Sequence, residues 1–221
     1  MEIKIVREIL EENDELADEI RLHLKEGGMR MINVMSAPGS GKTLLLEKII
    51  PMLKKRGLRV GIIEGDIATA NDAQRLAPLE APVVLITTET FGGGCHLSAA
   101  MIRSALAQLS SHELDLVLVE NVGNLVCPAE FDIGADASLV LVSVVEGEDK
   151  PLKYPMMFRV ADMVCVTKSD IAEAVCADVA KLKANVLQIN PAVRLVETSG
   201  KSGQGMEEVA SWIAEFKIEK A

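Results

Sequence analysis

The residues with the clearest chemical signature form a glycine-rich loop, Ser36-Ala-Pro-Gly-Ser-Gly-Lys-Thr, between an apolar run and a helical pattern. Glycines allow backbone N–H groups to face phosphate oxygens, and the following helix N-terminus adds partial positive charge. In such a loop the lysine reaches the β- and γ-phosphates, and the next hydroxyl binds Mg²⁺. The motif expects glycine at its first position, where this chain has Ser36, and we expect the change to be tolerated. The predicted phosphate-binding residues are Gly39, Ser40, Gly41, Lys42 and Thr43.

Two acidic residues follow apolar runs and are candidates for holding Mg²⁺ together with Thr43. Asp66 lies in segment 64–72 after the second run, where a carboxylate can bind the cation directly or through water. Its alternative role is a helix cap or a turn. Glu120 ends the fourth run, where aspartate is more usual in such proteins, and its alternative role is a buried partner of a lysine. Asp72 has weaker support.

Gly123 follows Glu120 by three residues, where its backbone N–H can contact a γ-phosphate. Segment 120–127 is therefore a candidate switch that the γ-phosphate orders and hydrolysis relaxes. No glutamine stands at a convincing catalytic position, so hydrolysis is expected to be slow without help. The predicted catalytic residues are Lys42, Thr43, Asp66, Glu120 and Gly123.

A third group of residues has the signature of nucleobase recognition. Thr167-Lys168-Ser169-Asp170 resembles the Asn-Lys-x-Asp motif of G proteins, with threonine in place of asparagine. The Asp170 carboxylate can accept from N1–H and the exocyclic amine of guanine, a donor pair that adenine lacks. The threonine leaves open whether this loop stays tied to the phosphate-binding loop. Segment 198–201 falls where G proteins offer a backbone N–H to guanine O6, so GTP is favoured over ATP. The predicted base-binding residues are Lys168, Asp170, Ser199, Gly200 and Lys201.

Soft ligands occur in two separate loops. Cys95 and His96 follow the third apolar run, and Cys127 lies in the candidate switch after the fourth. Thiolates and imidazole suit Zn²⁺ and Ni²⁺. Three ligands leave a fourth position for water, a carboxylate or a second subunit, and simple burial of the cysteines is the alternative. Cys165 and Cys176 are expected to be buried and to have no ligand role.

The spacing of apolar residues predicts the elements that position these loops. The continuous apolar runs are typical of parallel strands buried on both faces, and their alternation with helical patterns predicts a three-layer α/β sandwich with a mainly parallel sheet. Ligands bind such sheets at the carboxyl ends of the strands. The strand-length runs lie at 31–35, 59–63, 83–87, 114–119, 139–145, 163–167 and 193–196, and the helical patterns at 42–56, 97–110, 171–187 and 205–217.

The amino-terminal residues have the pattern of an amphipathic helix, or two, ending at Gly27-Gly28. We expect this stripe to pack on the domain's own surface, with docking of a partner as the alternative. The predicted division is an amino-terminal helical extension over 1–28 and a P-loop GTPase domain over 29–217.

Composition narrows the class of protein. The formal charge is −10, from 23 Lys and Arg against 33 Asp and Glu, which argues against nucleic acid as a partner. No apolar run is long enough to span a membrane, and no secretory signal is apparent. We expect a cytoplasmic protein whose four cysteines are reduced, with ligation or burial favoured over disulfide formation.

Four stretches together resemble the HypB family, the GTPases used in nickel insertion during [NiFe]-hydrogenase maturation. The resemblance covers roughly residues 29–217, and its second and third stretches are the most specific. Urease nickel-chaperone GTPases share the general fold but not the third stretch as it stands here. The four stretches are 36–43, 92–97, 120–129 and 146–155.

The resemblance implies a slow GTPase of the nucleotide-dependent dimerising class. It implies Zn²⁺ or Ni²⁺ at Cys95, His96 and Cys127, at or near the dimer interface. It also implies a HypA-type maturation factor as a partner, which passes nickel to the hydrogenase large subunit. Lys150 and Lys153 follow the fifth run and can reach acidic switch residues or a neighbouring subunit's nucleotide. A solvated loop is the alternative for both lysines.

These observations lead to one hypothesis and three rivals. GTP and Mg²⁺ order segment 120–127 and a homodimer interface that carries the Cys-His-Cys site, and hydrolysis releases Ni²⁺ to the next protein. The rivals are a urease-type nickel-chaperone GTPase, a regulatory GTPase switch with structural cysteines, and a small-molecule kinase. The kinase needs an arginine-rich lid, and no arginine cluster follows the relevant strands.

Overall fold

The computed structural model describes residues 4–66, 71–91 and 94–216. Parts of four segments singled out from the sequence lie outside these residues: 1–3 of the amino-terminal helix, 67–70 after the second strand, Gly92 and Gly93 before Cys95, and residue 217 at the predicted end of the domain.

Seven strands of the described chain form one sheet with the order β3-β2-β4-β1-β5-β6-β7. Every neighbouring pair in this order is parallel, which confirms the predicted sheet. Because all strands point the same way, the segments that follow them meet at one edge of the sheet. The strands are β1 (Arg30–Ser36), β2 (Val60–Asp66), β3 (Val83–Thr87), β4 (Leu116–Glu120), β5 (Ala137–Ser143), β6 (Met163–Thr167) and β7 (Arg194–Glu197).

Helices cover both faces of the sheet and complete the three predicted layers. The helices of the described residues are α1 (Lys4–Glu26), α2 (Lys42–Lys55), α3 (Asn71–Leu76), α4 (Ala99–Leu109), α5 (Cys127–Glu130), α6 (Lys150–Lys153), α7 (Pro155–Arg159), α8 (Val179–Ile189) and α9 (Met206–Glu215). On one face, α2 and α9 pack on aliphatic side chains from the central strands. On the opposite face, α1 and α4 cover one half and α7 and α8 cover the other. Within the ranges that the structure describes, no helix is long and apolar enough to cross a membrane.

Among the predicted elements whose bounds differ in the structure, two differ for a clear local reason. The strand predicted over 139–145 ends at Ser143, because a turn follows in which the Glu146 N–H donates to the Ser143 carbonyl. The helix predicted over 171–187 begins at Val179, where Asp178 caps it by accepting from the Lys181 N–H at 2.9 Å. Cys176 lies exposed in the turns before this cap, so the prediction of a buried helical position for it is wrong.

The amino-terminal pattern forms the single helix α1, which packs on α4 and the sheet. Ala17, Ile20 and Leu24 belong to a cluster of buried apolar side chains shared with α4, β1 and β4. The helix ends at Gly27-Gly28 as expected, and Gly28 has a positive φ of 64°. Packing on the domain's own surface therefore accounts for the part of the apolar stripe whose burial is described, including Leu16, Ile20 and Leu24. The division into 1–28 and 29–217 stays a prediction.

One buried side chain of α1 connects two distant segments. The Asn13 amide donates to the Asp132 carbonyl at 2.7 Å and accepts from the Ala99 N–H at 2.9 Å. Ala99 opens α4 three residues after His96, and Asp132 follows Cys127 by five residues. Arg21, two turns further along α1, also binds the Asp132 carboxylate. Helix α1 thus holds the two loops that carry the soft ligands.

Replacing Asn13 with alanine is expected to lower the free energy of unfolding by about 1–3 kcal/mol, because it leaves a buried N–H and a partly buried carbonyl without these partners. Urea denaturation followed by circular dichroism measures the change. Glu12→Ala, on the exposed face of the same helix, is the matched control and should stay near wild type. Equal midpoints for the two variants would show that the Asn13 contacts are not important for stability.

Candidate functional site

The predicted site residues come together at the carboxyl edge of the sheet. The phosphate-binding loop follows β1, which lies between β4 and β5 in the sheet. The candidate switch follows β4, and the base-recognition segments follow β6 and β7. This arrangement results from the parallel direction of the strands, because each loop begins where its strand ends.

The phosphate-binding loop has the backbone that its glycines predict. Gly39 and Gly41 have positive φ angles of 74° and 101°, a region that other residues rarely adopt. Gly41 is the N-cap of α2, so the first backbone N–H groups of that helix are directed into the loop. The buried Lys42 ammonium donates to the Ser36 hydroxyl at 3.4 Å. Ser36 in turn donates to the Ala37 carbonyl at 2.7 Å, so the departure from glycine fits the loop.

A residue that sequence reasoning missed supports this loop from the side. The Glu146 carboxylate accepts from the Ser40 hydroxyl at 2.7 Å and from the Ser143 N–H at 2.8 Å. Glu146 stands directly after the fifth apolar run, in the stretch that was singled out for its lysines. An acidic residue at a strand end was the available signal.

The predicted hydroxyl and carboxylate ligands of Mg²⁺ lie in direct contact. The Thr43 hydroxyl donates to the Glu120 Oε1 atom at 2.8 Å. Burial raises the pKa of Glu120 to about 7, while the nearby Lys42 charge and the Thr43 hydrogen bond act in the opposite direction. The second oxygen, Oε2, is buried with no hydrogen-bond partner among the described residues. It is therefore an available acceptor directed into the site.

The second strand and the helix α3 after it carry three acidic residues near the same edge. Asp66 ends β2 and is half-buried, so it belongs to the strand and not to a loop over 64–72. Asp72 lies on α3 and pairs with Arg75 at 3.1 Å, which accounts for it without a ligand role. Glu64, which sequence reasoning did not single out, is buried in β2. Burial raises its pKa to about 8, and the charges of Glu120 and Asp66 act in the same direction.

The candidate switch touches the phosphate-binding loop through Gly123. A Cβ atom at Gly123 would lie 2.9 Å from the Pro38 Cα atom, closer than side-chain carbons normally approach backbone. Only glycine therefore allows the two loops this contact. The preceding Asn121 is fully buried and donates to the Asn33 amide oxygen at 3.1 Å. Its own oxygen accepts from the Leu97 N–H at 3.4 Å, so it joins the switch to the residue after His96.

The base-recognition segments are connected to each other and to the phosphate-binding loop. The Thr167 hydroxyl donates to the Ser40 carbonyl at 2.7 Å, so threonine keeps the two loops tied together. The fully buried Ser199 donates its hydroxyl to the Asp170 carboxylate at 2.6 Å. Gly200 packs directly on the Leu44 side chain, Lys168 has a positive φ of 59°, and Lys201 is exposed.

The three predicted soft ligands converge. The ligand atoms of Cys95, His96 and Cys127 lie within 4.8 Å of one another, and all three residues are half-buried. The His96 ring stacks on Phe131 with centroids 3.6 Å apart. Burial lowers the pKa of His96, which favours the neutral imidazole that binds metals. The Asn124 amide lies 3.5 Å from the Cys127 sulfur and donates to it.

The two sulfurs differ from expectation in one respect. The sequence predicted reduced thiols at Cys95 and Cys127, but the structure joins them in a disulfide with their Cα atoms 6.3 Å apart. The loops after β3 and β4 bring both sulfurs to one point, where either a covalent bond or a shared soft metal ion can connect them. Cys165 is buried in β6 as expected, and burial raises the pKa of its thiol.

The two candidate lysines after β5 lie on the short helix α6. The exposed Lys153 pairs with Asp149 one turn earlier at 2.6 Å, and the Lys150 ammonium lies 5.5 Å from the Tyr154 ring centroid. These contacts satisfy both lysines within their own segment. A role toward acidic switch residues or a second subunit stays a prediction.

Comparisons with known proteins agree with this geometry. Residues 30–197 match the family described as "CobW/HypB/UreG, nucleotide-binding domain". The hydrogenase maturation factor HypB of Rhizobium leguminosarum bv. viciae is 42% identical over 211 residues, which are 96% of this chain and 69% of the relative.

Two solved structures share the fold over most of their length. HypB from Helicobacter pylori in complex with nickel is 36% identical with a TM-score of 0.86, over 92% of this chain and 94% of that one. HypB from Archaeoglobus fulgidus is 42% identical with a TM-score of 0.84, over 92% and 97% of the two chains.

The bond from Thr167 to the phosphate-binding loop gives a direct test of loop coupling. Thr167→Val is expected to weaken binding of fluorescent GDP by about 3–10-fold, since a hydrogen bond contributes roughly 0.5–1.5 kcal/mol. Fluorescence titration measures the dissociation constant. Thr167→Ser keeps the hydroxyl and should bind like wild type. Wild-type affinity in the valine variant would mean that the two loops are positioned independently.

Proposed function

Because this chain belongs to the HypB family of hydrogenase maturation factors, we propose that it hydrolyses GTP and thereby controls a nickel site that serves [NiFe]-hydrogenase assembly. One observation carries the proposal. Two sulfurs and an imidazole converge within 4.8 Å, and one of the sulfurs belongs to the segment that contacts the phosphate-binding loop through Gly123. Nucleotide and metal sites are therefore joined by a single short segment.

Recognition of guanine is supported by the way Asp170 is held. The Ser199 hydroxyl donates to one carboxylate oxygen at 2.6 Å, which leaves the other free to accept from a ligand. An ionised carboxylate accepts hydrogen bonds and donates none, so it complements the N1–H and amine donors of guanine. Gly200 approaches Leu44 of α2 closely, which brings the segment after β7 against the phosphate-binding helix.

The residues around Thr43 fit a magnesium ion. Its hydroxyl hydrogen is directed to Glu120, so the oxygen lone pairs are available to a cation. The buried, unpartnered Oε2 atom of Glu120 adds an acceptor of the kind Mg²⁺ prefers, and Asp66 ends the neighbouring strand. Thr43, Glu120 and Asp66 would hold the ion, which supplies positive charge against the charge that develops on the phosphates.

The chain's own residues perform the remaining work of phosphoryl transfer. Backbone N–H groups at the start of α2 and the Lys42 ammonium bind and orient the phosphates. The Gly123 N–H contacts the γ-phosphate from the side of the switch. When that contact is lost on hydrolysis, the segment that leads to Cys127 keeps the packing of Gly123 on Pro38 but loses its attachment through the nucleotide.

The nickel cargo would bind at Cys95, His96 and Cys127 in their reduced form. Opening the disulfide takes two electrons and two protons, which a cellular dithiol supplies as it is oxidised to its own disulfide. The neutral His96 imidazole and two thiolates are suitable ligands for Ni²⁺ and for Zn²⁺. A fourth ligand from water or a second subunit completes the site.

The same proposal assigns partners. A homodimer that forms with nucleotide and metal would place two such sites near each other, and a HypA-type factor would receive nickel for the hydrogenase large subunit. The proposal also places this protein in the cytoplasm.

Cys127→Ala is expected to reduce Ni²⁺ affinity at least about 10-fold. Losing a residue that only supports a metal ligand already costs about 10-fold in affinity, and losing a residue that binds the metal directly should cost more. Equilibrium dialysis under reducing conditions, with GDP and with a non-hydrolysable GTP analogue, measures the affinity. Cys176→Ala removes an exposed cysteine outside the cluster and should bind like wild type. Identical Ni²⁺ binding by Cys127→Ala and wild type with both nucleotides would refute the site. If wild-type protein binds no stoichiometric Ni²⁺ in either state, a regulatory switch with structural cysteines is the better function.

Asp170→Ala is expected to weaken GDP binding by about 10–100-fold, since hydrogen bonds to a charged group contribute roughly 1.5–3 kcal/mol. Competition between GDP and ADP against a fluorescent nucleotide measures both affinity and base preference. Glu173→Ala, an exposed acidic residue in the following turn, should change neither. Retained guanine preference in Asp170→Ala would show that the base is recognised elsewhere.

A further inference from the structure

Glu64 in β2 is a buried acidic residue that the site as described leaves without a role. Its side chain is 1% exposed, and its Oε2 atom has no hydrogen-bond partner among the described residues. Leaving a buried polar group unpaired costs about 1–3 kcal/mol, and more when the group is charged. The packing of β2 therefore gives no reason for a glutamate at this position.

The register of the sheet places Glu64 beside Glu120. The two residues are paired in the parallel ladder between β2 and β4. The residues two positions earlier, Ile62 and Leu118, belong to the aliphatic cluster under α2. Because side chains alternate along a strand, both glutamates also point to the α2 face. Adjacent strands lie about 4.8 Å apart, so both carboxyl groups reach the space above the start of α2.

The two carboxyl groups share an unusual property. Glu120 uses one oxygen to accept from Thr43, and its other oxygen is buried without a partner, as is one oxygen of Glu64. Two available acceptors thus lie side by side, next to the hydroxyl predicted to bind Mg²⁺. Lys42 is the nearby cation, and its ammonium is needed by the phosphates. A ligand that carries positive charge or several donors would satisfy both oxygens at once.

We infer that Glu64 is a positioning residue of the magnesium site, where it accepts a hydrogen bond from a metal-bound water molecule. This inference rests on the proposed function, because it takes the ion at Thr43, Glu120 and Asp66 as its starting point. Mg²⁺ keeps several of its waters when it binds nucleotide–protein complexes. Each such water is a strong donor and needs an acceptor on the protein. Outer acceptors of this kind fix the geometry of the ion and strengthen its binding.

The test measures divalent-ion binding separately from nucleotide binding. Mn²⁺ replaces Mg²⁺ as a spectroscopic probe, and electron paramagnetic resonance counts free Mn²⁺ in the presence of the full-length GDP complex. Glu64→Gln keeps the shape of the side chain but weakens its acceptor. We expect Mn²⁺ to bind at least about 10-fold more weakly, the usual effect of losing an outer-sphere partner. GDP affinity in excess EDTA should not fall.

Glu113→Gln is the matched control. It removes one carboxylate by the same isosteric change at the exposed, opposite end of β4, where Glu113 pairs with Arg59. It should leave both affinities at the wild-type values. If Glu64→Gln does not fold, Glu64→Asp gives the same comparison, because it keeps the charge but withdraws the acceptor by one methylene group.

The outcomes separate the inference from the proposal beneath it. Equal Mn²⁺ affinity in Glu64→Gln and wild type overturns the role of Glu64 and leaves the proposed function intact. An equal fall in Mn²⁺ affinity and in metal-free GDP affinity assigns Glu64 to the fold and also overturns the inference. If wild-type protein with GDP retains no Mn²⁺, the magnesium site of the proposed function itself is wrong.

Discussion

The parallel hydrogen bonding of β1 between β4 and β5 is the constraint on which the rest of the site depends. Its register pairs Val34 with Glu120 and Ser36 with Leu141, so the phosphate-binding loop begins where β4 ends. A slip of one residue would turn Glu120 to the opposite face and away from Thr43. The aliphatic side chains of the central strands fix this register, because their two faces pack on different helices. The core thus determines the geometry of the chemistry above it.

Burial stabilises the apolar core of the sheet, but at the carboxyl edge it encloses polar and acidic side chains and is therefore unfavourable for the folded state. Glu64, Glu120 and Asn121 are all enclosed where the apolar strands end. The raised pKa values of the two glutamates, about 8 and about 7, express the cost of keeping negative charge there. The divalent cation proposed for this site would offset this cost, and its binding would then be linked to local stability. Segment 120–127 begins within this group of residues, which is why we propose that its order depends on the ligand.

The parts of the structure that the sequence predicts depend on local patterns, whereas several parts that it does not predict depend on contacts between segments far apart in the chain. Continuous apolar runs and a glycine-rich loop are local signals, and they located the seven strands, α2 and the turn between β1 and α2. Helix α8 begins after the cap at Asp178, although the apolar pattern of a helix begins earlier in the sequence. The pattern alone does not show which of these two signals determines where the helix starts. Glu64 was missed because an acidic residue directly after an apolar run was interpreted as the end of the strand and the beginning of the next segment. The meeting of Cys95 with Cys127 depends on two loops 32 residues apart, and the sequence favoured ligation or burial over the disulfide that joins them in the structure.

The contact from Asn13 to Asp132 also has a consequence for how the protein is made. The two residues are 119 positions apart, and ribosomes add about 5–20 residues per second, so roughly 6–24 seconds separate their synthesis. During that interval α1 has neither Asp132 nor, at first, α4 to pack against, and its apolar face is open to water or to chaperones. The Cys95 loop is likewise complete before the Cys127 loop exists. The nascent chain therefore cannot assemble the three-residue ligand cluster until most of the sheet has been translated.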